Sequence, residues 1–258
     1  MTRRSFVATA TAGGVAFTMS IQAAETKRAI LELRQFKMRN TQDAMRDRTS
    51  EFLGKSLLPA LKRANPGPVG LFTVGIGQDA PYALMLTSYS DLSHWESAYE
   101  RVALDKEFLK ARESYYGGGL GYVRMETTLL RAFPTVPGIE TPPKAEQARI
   151  FEIRTYESNS LATLQRKIHM FDESEIAIFR KNHMLPVFFG ETIVGRNMPN
   201  LTYMLAFDDL AAREKAWKAF GGDPDWKKLR TTPGLTDGEI VSNISNSILQ
   251  PLAQSDIR

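Results

Sequence analysis

Two stretches of the chain carry the same residues in the same order, and this repeat constrains the fold more than any other feature. Pro68-Val69 returns as Pro186-Val187, Gly77 as Gly195, Pro81 as Pro199 and Asp91-Leu92 as Asp209-Leu210, all at a spacing of 118 residues. Glu96, Ala98, Asp105 and Arg112 recur at that spacing as Glu214, Ala216, Asp223 and Arg230, and Phe108 is answered by Trp226. Nearer the start, Ile30, Glu32 and Arg34 of AILELRQF match Ile150, Glu152 and Arg154 of RIFEIRTY. Repetition over such a length points to a duplicated structural unit. Between the copies, FPTVPGIETPPKAEQ holds four prolines. Proline fixes φ and donates no backbone hydrogen bond, so this segment reads as an extended linker.

Each copy has the same order of patterns. IFEIRTY alternates apolar and polar residues with period two, the mark of a half-buried strand. A helical stretch follows, with Ile176, Phe179 and His183 in register and Phe52 to Leu61 in the first copy; Pro186 and Pro68 are expected to end it. VFFGETIVG and LTYMLAF read as strands joined by a turn at 197–200, matched by 78–81. Asp209 and Asp91 are placed to cap a second helix. The last strand is expected at 238–249, and at 121–133 in the first copy. The order β-α-β-β-α-β is the ferredoxin-like arrangement. The expected fold is therefore α+β: two tandem ferredoxin-like units, 25–133 and 148–252, joined by a linker over 134–147, with their sheets packed on one another as a pseudo-dimer within one chain. In KAWKAFGGDPDWKKL, Gly221-Gly222 is expected to end a helix in left-handed geometry. Asp223 then caps a short new helix, Pro224 takes its first position, and Trp226 drops onto the domain as an apolar anchor. The same turn could instead form the mouth of a pocket.

Composition narrows the function classes. A chain of 258 residues suffices for two domains. The formal charge is +4 and the Lys and Arg residues are scattered, which argues against nucleic acid as a partner. The absence of cysteine excludes disulfides, zinc thiolates, iron–sulfur clusters and Cys nucleophiles. No segment is apolar for the roughly 20 residues a membrane span needs. Thr2-Arg3-Arg4-Ser5-Phe6 followed by a short Ala-, Thr- and Gly-rich run resembles a twin-arginine export signal, although Ala8 departs from that pattern. A signal over 1–24 implies an exported, periplasmic protein beginning near Glu25. The alternative is an unstructured N-terminal extension.

Candidate chemistry centres on the repeated Glu-x-Arg. Glu152, Arg154 and Tyr156 share one strand face, as do Glu32 and Arg34. With Phe151, Ile153, Leu31 and Leu33 assigned to the helix side, these polar residues are expected between the sheets. There they could form an ion-pair network that fixes strand register, or a pocket for a small anion or carboxylate. The histidines are His94, His169 and His183; none recurs in the other copy and none has metal-ligand spacing, so no metal site is expected. His94 and His169 are expected to be exposed, His169 in a loop before the helix. His183 is placed to close a helix, where a positive side chain favours the dipole. YYGGGLGY precedes a strand and lacks a Lys-Ser/Thr ending, so a turn fits it better than a phosphate loop. No G-x-S-x-G is present.

IFEIRTY at 150–156, FFGETIVG at 188–195, YMLAFDDLAAREKAW at 203–217 and DPDW at 223–226 together resemble the NIPSNAP family. The likeness covers the second copy. The first is a degenerate version in which Lys106 stands for Pro224 and Phe108 for Trp226. The resemblance implies a dimeric α/β-barrel, and it supplies no defined chemistry. Related barrel families include haem enzymes and cofactor-free monooxygenases, which makes His183 a candidate haem ligand or general base. The function expected is an exported protein that binds a small ligand between its sheets or serves as an accessory protein. The alternatives are a monooxygenase-like or haem-binding enzyme and a purely structural interaction module. No cofactor is expected under the first reading, haem under the second; further homo-oligomerisation is left open.

Overall fold

The computed structural model describes residues 27–41, 44–65 and 67–258. The signal-like segment 1–24 lies outside the described residues. The first half runs β1 (Ile30–Lys37), α1 (Met45–Phe52), a π-helical turn (Leu53–Leu57), α2 (Leu58–Ala64), β2 (Gly70–Ile76), β3 (Tyr82–Tyr89), α3 (Leu92–Leu104), α4 (Lys106–Gly117) and β4 (Arg124–Ala132). The second runs β5 (Ile150–Glu157), α5 (Leu161–Met170), a π-helical turn (Phe171–Glu175), α6 (Ile176–Lys181), β6 (Leu185–Val194), β7 (Asn200–Phe207), α7 (Leu210–Gly222), α8 (Pro224–Arg230), α9 (Asp237–Ile240) and β8 (Asn243–Pro251). The eight strands close into one barrel, in the order β1-β3-β2-β8-β5-β7-β6-β4, and every pairing is antiparallel. The chain is thus α+β, two tandem ferredoxin-like units forming an intrachain α/β-barrel. Each half supplies four neighbouring strands. The halves join edge to edge as well as face to face, through β2–β8 and β4–β6, so neither half keeps a free sheet edge.

Three apolar clusters hold this shape. Leu31, Leu33, Phe72, Leu84, Leu86, Leu130, Phe151, Phe188, Met204 and Leu249 fill the barrel interior. The other two lie outside, where the helices of each half cover its sheet. This reverses the facing expected from the strand pattern. Leu31, Leu33, Phe151 and Ile153 point into the barrel, and Glu32, Arg34, Glu152, Arg154 and Tyr156 point under the helices. Both faces of a barrel strand are covered, so alternation alone does not say which cover lies on which side. The interior is filled by apolar side chains, whereas the helices send Tyr99, Arg213 and Trp217 down to meet the buried carboxylates.

The capping expectations hold at atomic distance. Asp91 accepts from the His94 amide at 2.9 Å and Asp209 from the Ala212 amide at 2.7 Å. Asp105 and Asp223 start α4 and α8 in the same way. Gly221 and Gly222, however, remain inside α7, which ends at an extended Asp223. A carboxylate that caps the next helix breaks this one. Pro224 occupies the first turn of α8, and Trp226 is buried against Phe220 at 4.5 Å between ring centroids.

Other boundaries move. The helical region of the second half begins at Leu161 behind a Ser160–Thr163 capping box, so His169 lies on an exposed helix face and not in a loop. Pro186 does not end a helix; it sits in β6 beside a bulge. The last strand starts at Asn243, because Thr236 and Glu239 form a capping box that nucleates α9. The proline-rich segment is extended, yet it is docked: the Ala29 amide donates to Pro137, and the Glu140 amide to Val187. Beyond 252 the chain still belongs to the fold. The Asp256 amide donates to Val69, and Ile257 is fully buried in the barrel interior.

Candidate functional site

The Glu-x-Arg residues form two buried networks, one per half, each between sheet and helices. Glu152 accepts from Arg154 at 2.9 Å, from Arg213 of α7 at 2.6 and 2.9 Å, from Trp217 at 2.7 Å and from Asn246 of β8 at 3.0 Å. Arg154 also stacks over Trp217, its guanidinium carbon 4.7 Å from the ring centroid, and donates to the Tyr156 hydroxyl at 3.3 Å. Glu32 accepts from Arg34 at 2.7 Å, from Tyr99 of α3 at 2.6 Å and from Tyr89 at 3.1 Å. The two carboxyls end in opposite electrostatic states. Burial pushes Glu32 up, and Arg34 with its neighbouring hydroxyls offsets this only partly. Burial also opposes ionisation of Glu152, but Arg213, Asn246, Arg154 and Trp217 outweigh it and hold the carboxyl below its ordinary range.

Beside the second network lies an ion pair the sequence reading did not foresee. Lys167 of α5 is completely buried, 3.1 Å from Glu175 across the π-helical turn and 3.7 Å from Asp237. Its ammonium is also 4.9 Å from the Phe171 ring centroid and 5.3 Å from that of Tyr156. Burial alone would lower Lys167, but the Glu175 and Asp237 carboxylates keep it above the usual lysine range. The equivalent residues of the first half are Thr49 and Leu57, so this pair belongs to the second half only. Around both networks the space under the helices is packed with fully buried side chains, among them Phe171, Phe179, Phe189 and Tyr203.

An open cavity shared by the two halves lies elsewhere, at one mouth of the barrel. Along five of the strands the inward face changes character toward that end: Leu31 and Leu33 give way to Gln35 and Lys37, and Phe151 and Ile153 to Thr155. In the same way Leu130 is followed by Thr128 and Glu126, Leu249 by Ser247 and Ser245, and Met204 by Thr202 and Asn200. The result is a cavity of about 380 Å³ whose floor includes Leu33, Ile153 and Tyr82. Both halves line it. Two turns at equivalent positions shape its rim. Asp79 and Asn197 both adopt left-handed backbone, φ 58° and 54°, a conformation that Asp and Asn tolerate. Gly77 and Gly195 let these turns close onto the opposite half: a Cβ on Gly77 would collide with Ser247, and one on Gly195 would come within 2.8 Å of Thr128. Charges at the rim are paired. Lys37 donates to Asp79 at 2.7 Å and lies 3.2 Å from Glu126; Arg196 is 2.9 Å from the other Glu126 oxygen. The Lys37 ammonium, by hydrogen bond and charge, holds Asp79 below its usual range.

His183 takes part in none of this. It is exposed, in left-handed conformation (φ 59°) on the turn after α6, and does not line the mouth cavity. Among the described residues, no group of three His, Cys, Asp or Glu side chains is placed to hold a metal ion. No helix among them is long and apolar enough to cross a membrane.

Architecture and site define a closed antiparallel α/β-barrel with helices outside and a polar mouth shared by its two halves. Within that class, residues 151–256 match the NIPSNAP family model. A proposed monooxygenase from Fusobacterium nucleatum shares the fold over 88% of this chain and 94% of its own, with 13% identity and a TM-score of 0.59. Another from Lactobacillus acidophilus matches 87% of this chain and 94% of its own, with 12% identity and a TM-score of 0.54. An uncharacterised NIPSNAP-like domain protein from Burkholderia xenovorans covers 41% of this chain and 87% of its own, at 19% identity and a TM-score of 0.37. No curated protein matches the chain.

Proposed function

We propose that this chain is an exported binding protein that holds a small polar ligand at the mouth of its barrel. One observation carries the reading: the interior is filled with apolar side chains at one end and open, polar and lined by both halves at the other. Small-molecule sites are concave and about 300–1,000 Å³; this cavity has that size, with a lining more polar than is usual. The original expectation of a ligand between the sheets is kept, but its residues change. Gln35, Lys37, Glu126, Thr155, Thr202 and Ser247 replace the Glu-x-Arg groups, which serve as structural networks.

A screen of small metabolites for a rise in melting temperature tests this. A ligand at about 100 times its dissociation constant stabilises by about 2.7 kcal/mol. Thr202→Leu puts a bulkier side chain into the cavity and is expected to abolish the rise; an undiminished rise in that variant would place the ligand elsewhere. Export rests on the twin-arginine segment. It is tested by the N-terminus of protein recovered from the periplasm of a bacterial host, expected near Glu25. A full-length chain retained in the cytoplasm would refute it.

The names of the two barrel neighbours favour a second reading, a monooxygenase-like enzyme. Against it stands the filled space under the helices in both halves. Turnover of an aromatic substrate with consumption of dioxygen would revive it.

A further inference from the structure

Resting on the mouth cavity as the ligand site, we propose that its ligand class is an uncharged polyhydroxylated molecule of monosaccharide size. The first support is charge balance. The charged side chains lining the cavity are Lys37, Arg196, Asp79 and Glu126, two of each sign, and each cation has a carboxylate partner within 3.2 Å. An anionic or cationic ligand would have to break one of these pairs and leave a charge uncompensated in a partly enclosed space. A neutral ligand breaks none.

The second support is the kind of polar atom that remains. Thr128, Thr155, Thr202, Ser245 and Ser247 bring hydroxyls to the wall. A hydroxyl both donates and accepts, so such a wall matches a ligand whose own groups do both. The Thr155 and Thr202 hydroxyls already lie 2.9 Å apart, a chain that a ligand hydroxyl can extend. The third is a specific vacancy. The Oε1 atom of Glu126 is enclosed and accepts no hydrogen bond, although the Arg196 and Arg124 guanidiniums lie 2.9 and 3.5 Å from it. A buried acceptor without a donor is costly, and a ligand O–H supplies one without bringing charge. The floor adds apolar surface from Leu33, Ile153 and the Tyr82 ring, suited to the C–H face of a sugar ring.

The test is titration calorimetry on the full-length protein with three probes of similar size that differ in charge: D-glucose, D-gluconate and D-glucosamine. Myo-inositol and D-ribose serve as further neutral probes. At least one neutral probe is expected to bind, and the charged analogues at least tenfold more weakly. Thr202→Leu should remove that binding and Glu126→Gln should weaken it about tenfold; the comparison of probes on the unaltered protein stands even if Glu126→Gln folds poorly. Preference for gluconate or glucosamine would overturn the ligand class. So would failure of all five probes while another metabolite stabilises the protein but not Thr202→Leu, and in both cases the mouth would survive as the site. Stabilisation by any ligand that persists in Thr202→Leu would overturn the site itself.

Discussion

Glu32 and Glu152 occupy equivalent places, and their surroundings make them different acids. Glu152 faces two guanidiniums, an indole N–H and an amide; Glu32 faces one guanidinium and tyrosine hydroxyls. Neutralising the first leaves the half-buried Arg154 and Arg213 without their counter-charge, so Glu152→Gln is expected to cost about 3 kcal/mol at pH 7. Glu32→Gln is expected to cost less than Glu152→Gln, because one guanidinium and not two loses its counter-charge and burial raises the Glu32 carboxyl. The pH dependence follows the sign of each shift. Glu152 is depressed in the fold, so its contribution is present above the unfolded carboxylate pKa, about 4.3, and is lost as pH falls through the lower folded value. Glu32 is raised, so it favours the fold most when protonated and loses that contribution as pH rises through its folded pKa. Urea unfolding at pH 7 and pH 4 should show the Glu152→Gln penalty shrinking in acid. The difference between Glu32→Gln and the parent should also shrink there, as the parent carboxyl takes up its proton. Equal penalties for the two variants would contradict the difference in surroundings.

At the scale of elements, the most consequential local irregularity is the π-helical turn Phe171–Glu175. It widens the helix by one residue, and it lies between Lys167 and Glu175, whose ion pair closes across it. The first half has the same turn at Leu53–Leu57 without the charges. The turn itself therefore does not require the pair. Lys167→Met alone should destabilise by about 3–5 kcal/mol by stranding Glu175, whereas Lys167→Met with Glu175→Leu should recover most of that loss. Chemical denaturation of the two variants measures it, and a double variant no better than the single would mean the pair shapes the helix. None of this was legible beforehand. A lysine and an acidic run, FDESE, read as solvated surface in a linear sequence, and only the fold brings Lys167, Asp237, Tyr156 and Trp226 together. The helix caps were legible, because a cap is decided within three residues of chain. The role of Gly221-Gly222 was misread for a related reason: glycine permits a left-handed end but does not impose one when the next residue caps a new helix.

Over the whole molecule, each half's outer strands pair with those of the other half, and the two share one interior. Unfolding one half would strip β2 and β4, or β6 and β8, of their partners and open the apolar plug to water. Leu31→Ala, in the first half, is accordingly expected to cost about 2–5 kcal/mol and to shift a single unfolding transition. That transition should be the same by far-UV circular dichroism and, in a Trp95→Phe background, by the fluorescence of Trp217 and Trp226 in the second half. Two separated transitions would show that the halves are independent.

The repeat, the β-α-β-β-α-β order, the ferredoxin-like topology and the aspartate caps were all written in the sequence, because they depend on local periodicity and on spacing along the chain. Which face of each strand turns inward was not, since both faces are covered and an alternating pattern is the same viewed from either side. That choice placed the charged Glu-x-Arg groups under the helices and handed the barrel mouth to Thr, Ser and Asn side chains. Their common feature, a shift from apolar to polar along the inward face of strand after strand, can be recognised only once the strands stand side by side.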